Sequence, residues 1–424
     1  MKIAKLKIFT PHSSPSKSLK FLFVTIIVLF YCAGNAPTLY ANIDAKKFPA
    51  FPAIQDNINF WEKIYSTYST SQAVIHDRND LTKIYDVITI IDYLLPGAQQ
   101  LNKPLIESSK QKYSSILSRL GQGINPVTKE EHRIAALHKN ASRSQLIEAS
   151  ESIRSQIGQK ERFRQGVVRS GAYMPEIKRI FRSHNLPEEL AYLPHVESSF
   201  NPEAYSKVGA SGLWQFTRPT GLAYMRIDEL IDERQDPIIA SHAAAKFLKK
   251  NHSLLDCWAL ALTAYNYGTS GMMRAKRDKG SYENIFLGYR EGYFKFASRN
   301  FYSEFLAALR VAKRIEQEPT LARHKPIPTT TVRLKKKASL DHISRNFKVD
   351  IKTIRELNPA IKAVAFQGRQ PLPQGYQLKL PVTTRHHANQ TITIKAEQKA
   401  RKNRIHLRAS YKNKKNISSL KAEG

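Results

Sequence analysis

Two cysteines in 424 residues, Cys32 and Cys257, leave this chain almost without thiol chemistry. If the N-terminal segment is removed, Cys257 stands alone and no intrachain disulfide can form. It sits in an apolar run over residues 257–262, where a buried, inert thiol is expected rather than a nucleophile. Acids are also scarce: 35 Asp and Glu stand against 67 Lys and Arg, a formal charge of +32. Such a surplus calls for a polyanionic partner: nucleic acid, an anionic membrane, or a wall rich in carboxylates and phosphates. No repeat of solenoid length appears. No His/Cys cluster has ligand spacing, so neither metal nor cofactor is expected; His386 and His387 are read as incidental. No apolar run reaches the ~20 residues of a comfortable membrane span.

What is present starts at the N-terminus. Residues 1–20 carry five lysines and no acid, and residues 21–31 (FLFVTIIVLFY) are almost wholly apolar. A basic stretch before a short apolar core reads as an export signal. Cleavage after Gly34 or Ala41 would remove it; an uncleaved anchor, or acylation of Cys32, is the alternative, although Tyr31 is bulky for a lipoprotein box. Export places the chain in the periplasm or cell envelope and argues against nucleic acid as a partner.

The fold class expected is mainly α, with a helical catalytic domain followed by a small α+β unit. Residues 1–41 are the signal or anchor, and 42–160 a helical accessory region with amphipathic stretches at 59–65 and 84–95. Residues 161–318 are the densest helical segment and 319–331 a proline-containing linker. Residues 332–382 have strand-like ends at 332–334 and 377–380 around two helical stretches. Residues 383–424 hold 11 Lys/Arg against 2 Glu and few apolar residues, a basic tail expected to be disordered.

The chemistry concentrates in the run LPEELAYLPHVESSFNP at residues 186–202. Pro187 suits a first helical turn, Glu188 and Glu189 complement its dipole, and Asn201-Pro202 is a stop signal. Leu186, Leu190, Leu193 and Glu197 then share one helical face. Glu197 is thus a carboxylate on an apolar stripe at a helix end, where desolvation and the negative dipole both favour the protonated acid. A carboxyl held protonated near neutrality is what a general acid requires. The plainer alternative is a helix-end glutamate paired with one of the many basic residues. Next comes SKVGASGLWQF at 206–216, whose glycines permit a tight loop close to a ligand. Ala264-Tyr265-Asn266-Tyr267-Gly268 ends an apolar helix with two rings and an amide, groups suited to sugar faces and hydroxyl rims. Ordinary core packing is the alternative for those rings.

In order and spacing these residues resemble the lytic murein transglycosylases, specifically the membrane-bound type D subfamily, with its goose-lysozyme-like fold. The resemblance runs from about residue 161 to 313. It implies Glu197 as the sole catalytic acid and base, Ser206 as a substrate- or glutamate-contacting serine, and Gly212, Leu213, Trp214 and Gln215 as the loop lining the cleft. It further implies Tyr265 near the glutamate and Asn266 as its partner in substrate binding. Where relatives carry Glu-Thr-Arg-Asn-Tyr, this chain has Ala297-Ser298-Arg299-Asn300-Phe301, so the acid and a hydroxyl are missing there. Residues 332–382 resemble a LysM peptidoglycan-binding module, with Lys337-Ala338 replacing the usual Gly-Asp.

The activity implied is cleavage of the bond between N-acetylmuramic acid and N-acetylglucosamine in peptidoglycan glycan strands, giving 1,6-anhydromuramyl products; a membrane surface is a further partner. A hydrolytic goose-type lysozyme and a non-catalytic peptidoglycan-binding scaffold are the rivals. Hydrolysis asks for a second carboxylate. None is evident beside Glu197 in the sequence: Glu203 lies past the helix stop, and Asp228, Glu229, Asp232 and Glu233 read as a solvated helix cap.

Overall fold

The computed structural model describes residues 44–382; the N-terminal stretch read as an export signal, Cys32 and the basic tail lie outside the described residues. The first helix, α1 (Gln55–Ser66), turns Ile58, Phe60, Trp61, Ile64 and Tyr65 inward, as the amphipathic stretch at 59–65 indicates. It is followed by strands β1 (Gln72–Asp77) and β2 (Ile84–Thr89). Helices α2 (Ala98–Gly121), α3 (Lys129–Leu137) and α4 (Arg143–Glu151) come next, the last two opened by capping boxes at Thr128/Glu131 and Ser142/Gln145. Strand β3 (Ile153–Ile157) completes a three-stranded antiparallel sheet ordered β2-β1-β3.

This sheet corrects the expectation of a wholly helical accessory region. The stretch 84–95 opens with Ile84-Tyr85-Asp86-Val87-Ile88-Thr89, rich in β-branched and aromatic residues, and it pairs with β1 instead of coiling. β1 is buried along nearly its whole length, which fits a central strand covered on both faces. Tyr85, Tyr113, Leu117, Ile134 and Ile153 form the core beneath it.

The central segment is helical: α5 (Lys160–Ser170), α6 (Met174–Ser183), α7 (Pro194–Glu197), α8 (Arg218–Leu222), α9 (Pro237–Leu255), α10 (Trp258–Tyr267), α11 (Thr269–Lys279), α12 (Tyr282–Gly288) and α13 (Phe296–Glu316). α13 buries Phe301, Phe305, Ala308, Leu309, Ala312 and Ile315 along one stripe and packs lengthwise on α1. The accessory region therefore forms one wall of the central segment. No described helix is long and apolar enough to cross a membrane.

The C-terminal unit pairs β4 (Thr329–Arg333) with β5 (Gln377–Pro381) antiparallel, around α14 (Leu340–Phe347), α15 (Ile351–Leu357) and the single turn α16 (Ala363–Phe366). Its core is shared with the central segment. Leu230 and Ile231, from the loop between α8 and α9, belong to the same buried cluster as Leu340, Ile343, Ile354, Leu378 and Leu380.

Candidate active site

The stretch expected as one helix is two pieces. Residues 188–192 form a 3-10 turn and α7 follows, because Pro194 has no N–H to continue the first ladder. Leu186, Leu190 and Leu193 are nonetheless buried, and Glu197 ends the short helix partly buried. The chain then turns sharply, with Ser199 and Phe200 at φ of 52° and 54°. Arg169 on α5 holds this left-handed pair by donating to the carbonyls of Ser199 (2.6 Å) and Phe200 (3.3 Å). Gly166 lies where a Cβ would crowd the Ser199 carbonyl at 2.7 Å, so α5 can approach only there.

The neighbouring loop is tied to this turn through Ser198, whose Oγ donates to the Leu213 carbonyl at 2.8 Å. Within the loop, the Ser206 hydroxyl accepts from the Ala210 amide at 2.9 Å. Gln215, at φ 47°, turns its amide back onto the carbonyls of Gly212 (2.8 Å) and Ala204 (3.1 Å). Gly212 sits at φ +78°, and a Cβ there would collide with the Arg234 carbonyl oxygen.

Trp214 departs from the expectation of a cleft-lining ring. Its indole is fully buried, stacked on Phe181 at 5.6 Å and donating to Ser241 Oγ at 2.8 Å. Leu213 is fully buried as well. What these two residues offer the site is backbone: the Leu213 carbonyl takes Ser198, and the Trp214 carbonyl takes the Tyr265 hydroxyl at 2.8 Å. Tyr265 stands at the end of α10, which Gly268 caps at φ 94°. Asn266 is exposed, and its Oδ1 accepts from Ser298 Oγ at 2.7 Å. Ser298 is one member of the divergent stretch 297–301; Ala297 faces solvent, and Asn300 accepts from Asn57 on α1 instead.

Electrostatics set the site apart. Burial pushes the Glu197 carboxyl up to about 8, so it holds its proton at neutrality. Burial also pushes Glu304 on α13 up to about 8, helped by the charge of Glu197 and opposed by Arg154. Tyr65 is held well above its ordinary value, first by burial and then by the charges of Glu304 and Glu197. Tyr265 is raised by burial and by Glu197. Glu197, Glu304, Tyr65 and Tyr265 are thus neighbours, gathered from four helices.

Glu304 overturns the expectation that no second acid accompanies Glu197, and Tyr65 was not singled out either. A signal existed for the first: Glu304 is the only acid between Glu291 and Glu316, set in the apolar run FLAAL at 305–309. Arg154, from β3, reaches the same corner with its guanidinium 4.1 Å above the Phe296 ring. Of the four acids read as a solvated cap, Asp232 departs from that reading: it is 7 % exposed and paired with the buried Arg234. Cys257, expected to be buried, is half-buried at the start of α10. A cavity of about 530 Å³ beside Asp77, Lys83 and His138 shares no residue with this site.

Comparison with known proteins gives a family signal that spans Glu197, the 206–216 loop and Tyr265 but not Tyr65 or Glu304. Residues 174–286 match the Transglycosylase SLT domain. Membrane-bound lytic murein transglycosylase D of Escherichia coli (strain K12) is 34 % identical over 110 residues, covering 26 % of this chain and 24 % of that protein. A protein named for tributyltin chloride resistance in Alteromonas sp. (strain M-1) is 40 % identical over 111 residues, 26 % of this chain and 53 % of that one. Membrane-bound lytic murein transglycosylase F of Stutzerimonas stutzeri (strain A1501) is 22 % identical over 319 residues, 67 % and 62 % respectively. The chain therefore spans less than two thirds of each of these relatives. Residues 174–286 of this mainly helical chain thus match the Transglycosylase SLT domain, and the proteins it is similar to include lytic murein transglycosylases D and F.

Proposed function

We propose that this chain cleaves the β-1,4 bond between N-acetylmuramic acid and N-acetylglucosamine in peptidoglycan, leaving 1,6-anhydromuramyl ends, in the manner of the type D enzymes. The observation that carries this reading is Glu197: a carboxyl kept protonated to about pH 8 by burial, at the end of a turn pinned by Ser198 and Arg169. Glu197 gives its proton to the bridging oxygen, which leaves with the electron pair of its bond to muramic C1. Positive charge develops on C1 and the ring oxygen. The Glu197 carboxylate then takes the proton of the sugar's own 6-hydroxyl as that oxygen bonds to C1. The acid is restored and no water is consumed. The nucleophile arrives tethered to the reacting ring, which removes the entropic cost of recruiting water.

In this reading the loop residues Ser206 and Gly212–Gln215 form a firm edge of the cleft, Tyr265 holds that edge, and the exposed Asn266 offers its amide to the sugar. Hydrolysis is the second reading, favoured by one observation, the second carboxyl at Glu304. A water-activating base must be ionised, however, and burial and Glu197 both keep Glu304 protonated at neutrality. We read the C-terminal unit as a LysM-like glycan binder. The basic surplus would draw the protein to an anionic wall or membrane surface within the envelope, an attraction that salt screens. Mass spectrometry of products from purified murein tests the reading: anhydro ends lack one water relative to hydrolysed ends, and predominantly hydrated ends would overturn it.

A further inference from the structure

The loop between α8 and α9 joins the C-terminal unit to the edge of the cleft. Its turn is closed by Asp228, whose Oδ1 accepts from the amides of Leu230 (2.8 Å) and Ile231 (2.7 Å). Ile231, fully buried, enters the core of the C-terminal unit and meets Ile361 in an isolated antiparallel bridge. The Asp232 amide donates to the Ala360 carbonyl at 2.8 Å, and the Lys362 amide to the Leu230 carbonyl at 3.0 Å. Four residues after Asp232, Asp236 caps α9 and takes Lys379 Nζ of β5 at 2.6 Å while 3 % exposed.

Between these anchors stands Arg234, 4 % exposed. Asp232 holds it in a two-point grip, Oδ1 to Nε at 2.9 Å and Oδ2 to Nη2 at 2.7 Å. The remaining nitrogen, Nη1, donates to the carbonyls of Gly209 (2.8 Å) and Phe216 (3.1 Å). Those two carbonyls flank the Gly212–Gln215 stretch, and Gly212 lies directly on the Arg234 backbone. The planar fork of a guanidinium can satisfy a carboxylate on one edge and carbonyls on another; an ammonium cannot do both at fixed geometry.

We propose that Arg234 is a positioning residue for the cleft, and that the C-terminal unit is the buttress that keeps it in place. The unit then does more than attach the enzyme to the wall: cleavage of glycan depends on its docking even when the substrate is soluble and needs no anchoring. The path is short and wholly structural. Ile231 and the residue-360 pairing set Asp232, Asp232 orients Arg234, and Arg234 fixes both ends of the loop whose Leu213 carbonyl takes Ser198, next to Glu197. The dependence on catalysis rests on the reading of Glu197 as the acid, whereas the dependence of loop order on docking does not.

The test uses the full chain with Ile231→Ala, Arg234→Lys and, as the conservative control, Ile231→Val. Two readouts are taken: kcat and KM on soluble glycan chains, and the rate of tryptic cutting after Lys207, the exposed lysine at the loop tip, followed by mass spectrometry. Ile231→Ala and Arg234→Lys should each lower kcat about tenfold with KM changed less than about threefold, and speed the Lys207 cut about tenfold. Ile231→Val should stay close to wild type in both. Unchanged protection of Lys207 in both variants, or faster cutting with an unchanged kcat, would overturn the proposal. If Arg234→Lys does not fold, Ile231→Ala decides alone against the Ile231→Val control. Should the wild-type chain release no glycan products, the catalytic reading fails while Lys207 protection still reports on the buttress.

Discussion

Tyr265 donates its hydroxyl hydrogen to the carbonyl oxygen of Trp214 over 2.8 Å, joining the end of α10 to the loop beside Glu197. The bond locks a backbone whose side chain, the Trp214 indole, is already fixed in the core. Tyr265→Phe removes it and leaves the Trp214 carbonyl short of a partner, a change worth about 1–2 kcal/mol. The expected result is a kcat lower by about tenfold and a modest drop in thermal midpoint, read by steady-state kinetics and calorimetry. A kcat at the wild-type level would show that the loop keeps its place without this bond.

Glu197→Gln should abolish cleavage, because the amide keeps the shape and cannot transfer the proton. It should also stabilise the fold in a pH-dependent way. The folded carboxyl titrates near 8 and the unfolded one near 4.5, so between those values the unfolded chain binds fewer protons. Stability tied to this group is therefore full below about pH 4.5 and is lost as pH rises toward 8. Relative to wild type, the variant should gain about 1–3 kcal/mol at pH 7.5 and nothing at pH 4. Urea melts at the two pH values measure it; an equal gain at both would contradict the burial of Glu197.

Glu304→Gln separates the two chemistries. If Glu304 is a neutral neighbour at pH 7, an amide replaces it with little consequence, and activity should stay within about threefold of wild type. If it were the ionised base of a hydrolase, the loss should approach that of Glu197→Gln, and the residual products would show which route survives. Kinetics at pH 6 to 7 with product mass spectra give the answer.

His195 is the second residue of α7, two before Glu197, among the rings of Phe163, Phe200 and Tyr192, and neither ring nitrogen meets a hydrogen-bond partner among the described residues. Burial, with Arg169 adding to it, pushes its value down to about 3. The unfolded chain takes up this proton near pH 6.5, so stability from His195 is present above 6.5 and is lost as pH falls toward 3. His195→Phe should therefore keep about 1–2 kcal/mol more stability than wild type at pH 5, and differ little from it in slope above pH 7. Denaturant midpoints across that range measure it.

Much of the site could be read from the chain because its signals are local. The apolar spacing of Leu186, Leu190 and Leu193 against Glu197, the stop at Asn201-Pro202, and the Gly212–Gln215 loop lie within about thirty residues of one another. Their order needs only helix periodicity and turn chemistry. The helix break follows from Pro194 alone, which has no N–H for the ladder, although the apolar spacing runs on across it. Strand β2 is ambiguous in the same way: Ile84 to Leu95 satisfies a helical stripe nearly as well as an alternating one, and only pairing with β1 decides between them.

By itself, then, the sequence determined the acid on its apolar turn, the loop beside it and the helical class of the chain, since those follow from forces acting between residues a few positions apart. Tertiary structure alone decided what surrounds that acid. Tyr65 and Glu304 come to Glu197 from helices more than a hundred residues away on either side, because α1 and α13 pack together. Asp232 became a buried clamp rather than a solvated cap because Ile231 found its apolar partners more than a hundred residues along the chain. Such partners are chosen by burial of complementary surfaces, which no periodicity within either segment encodes.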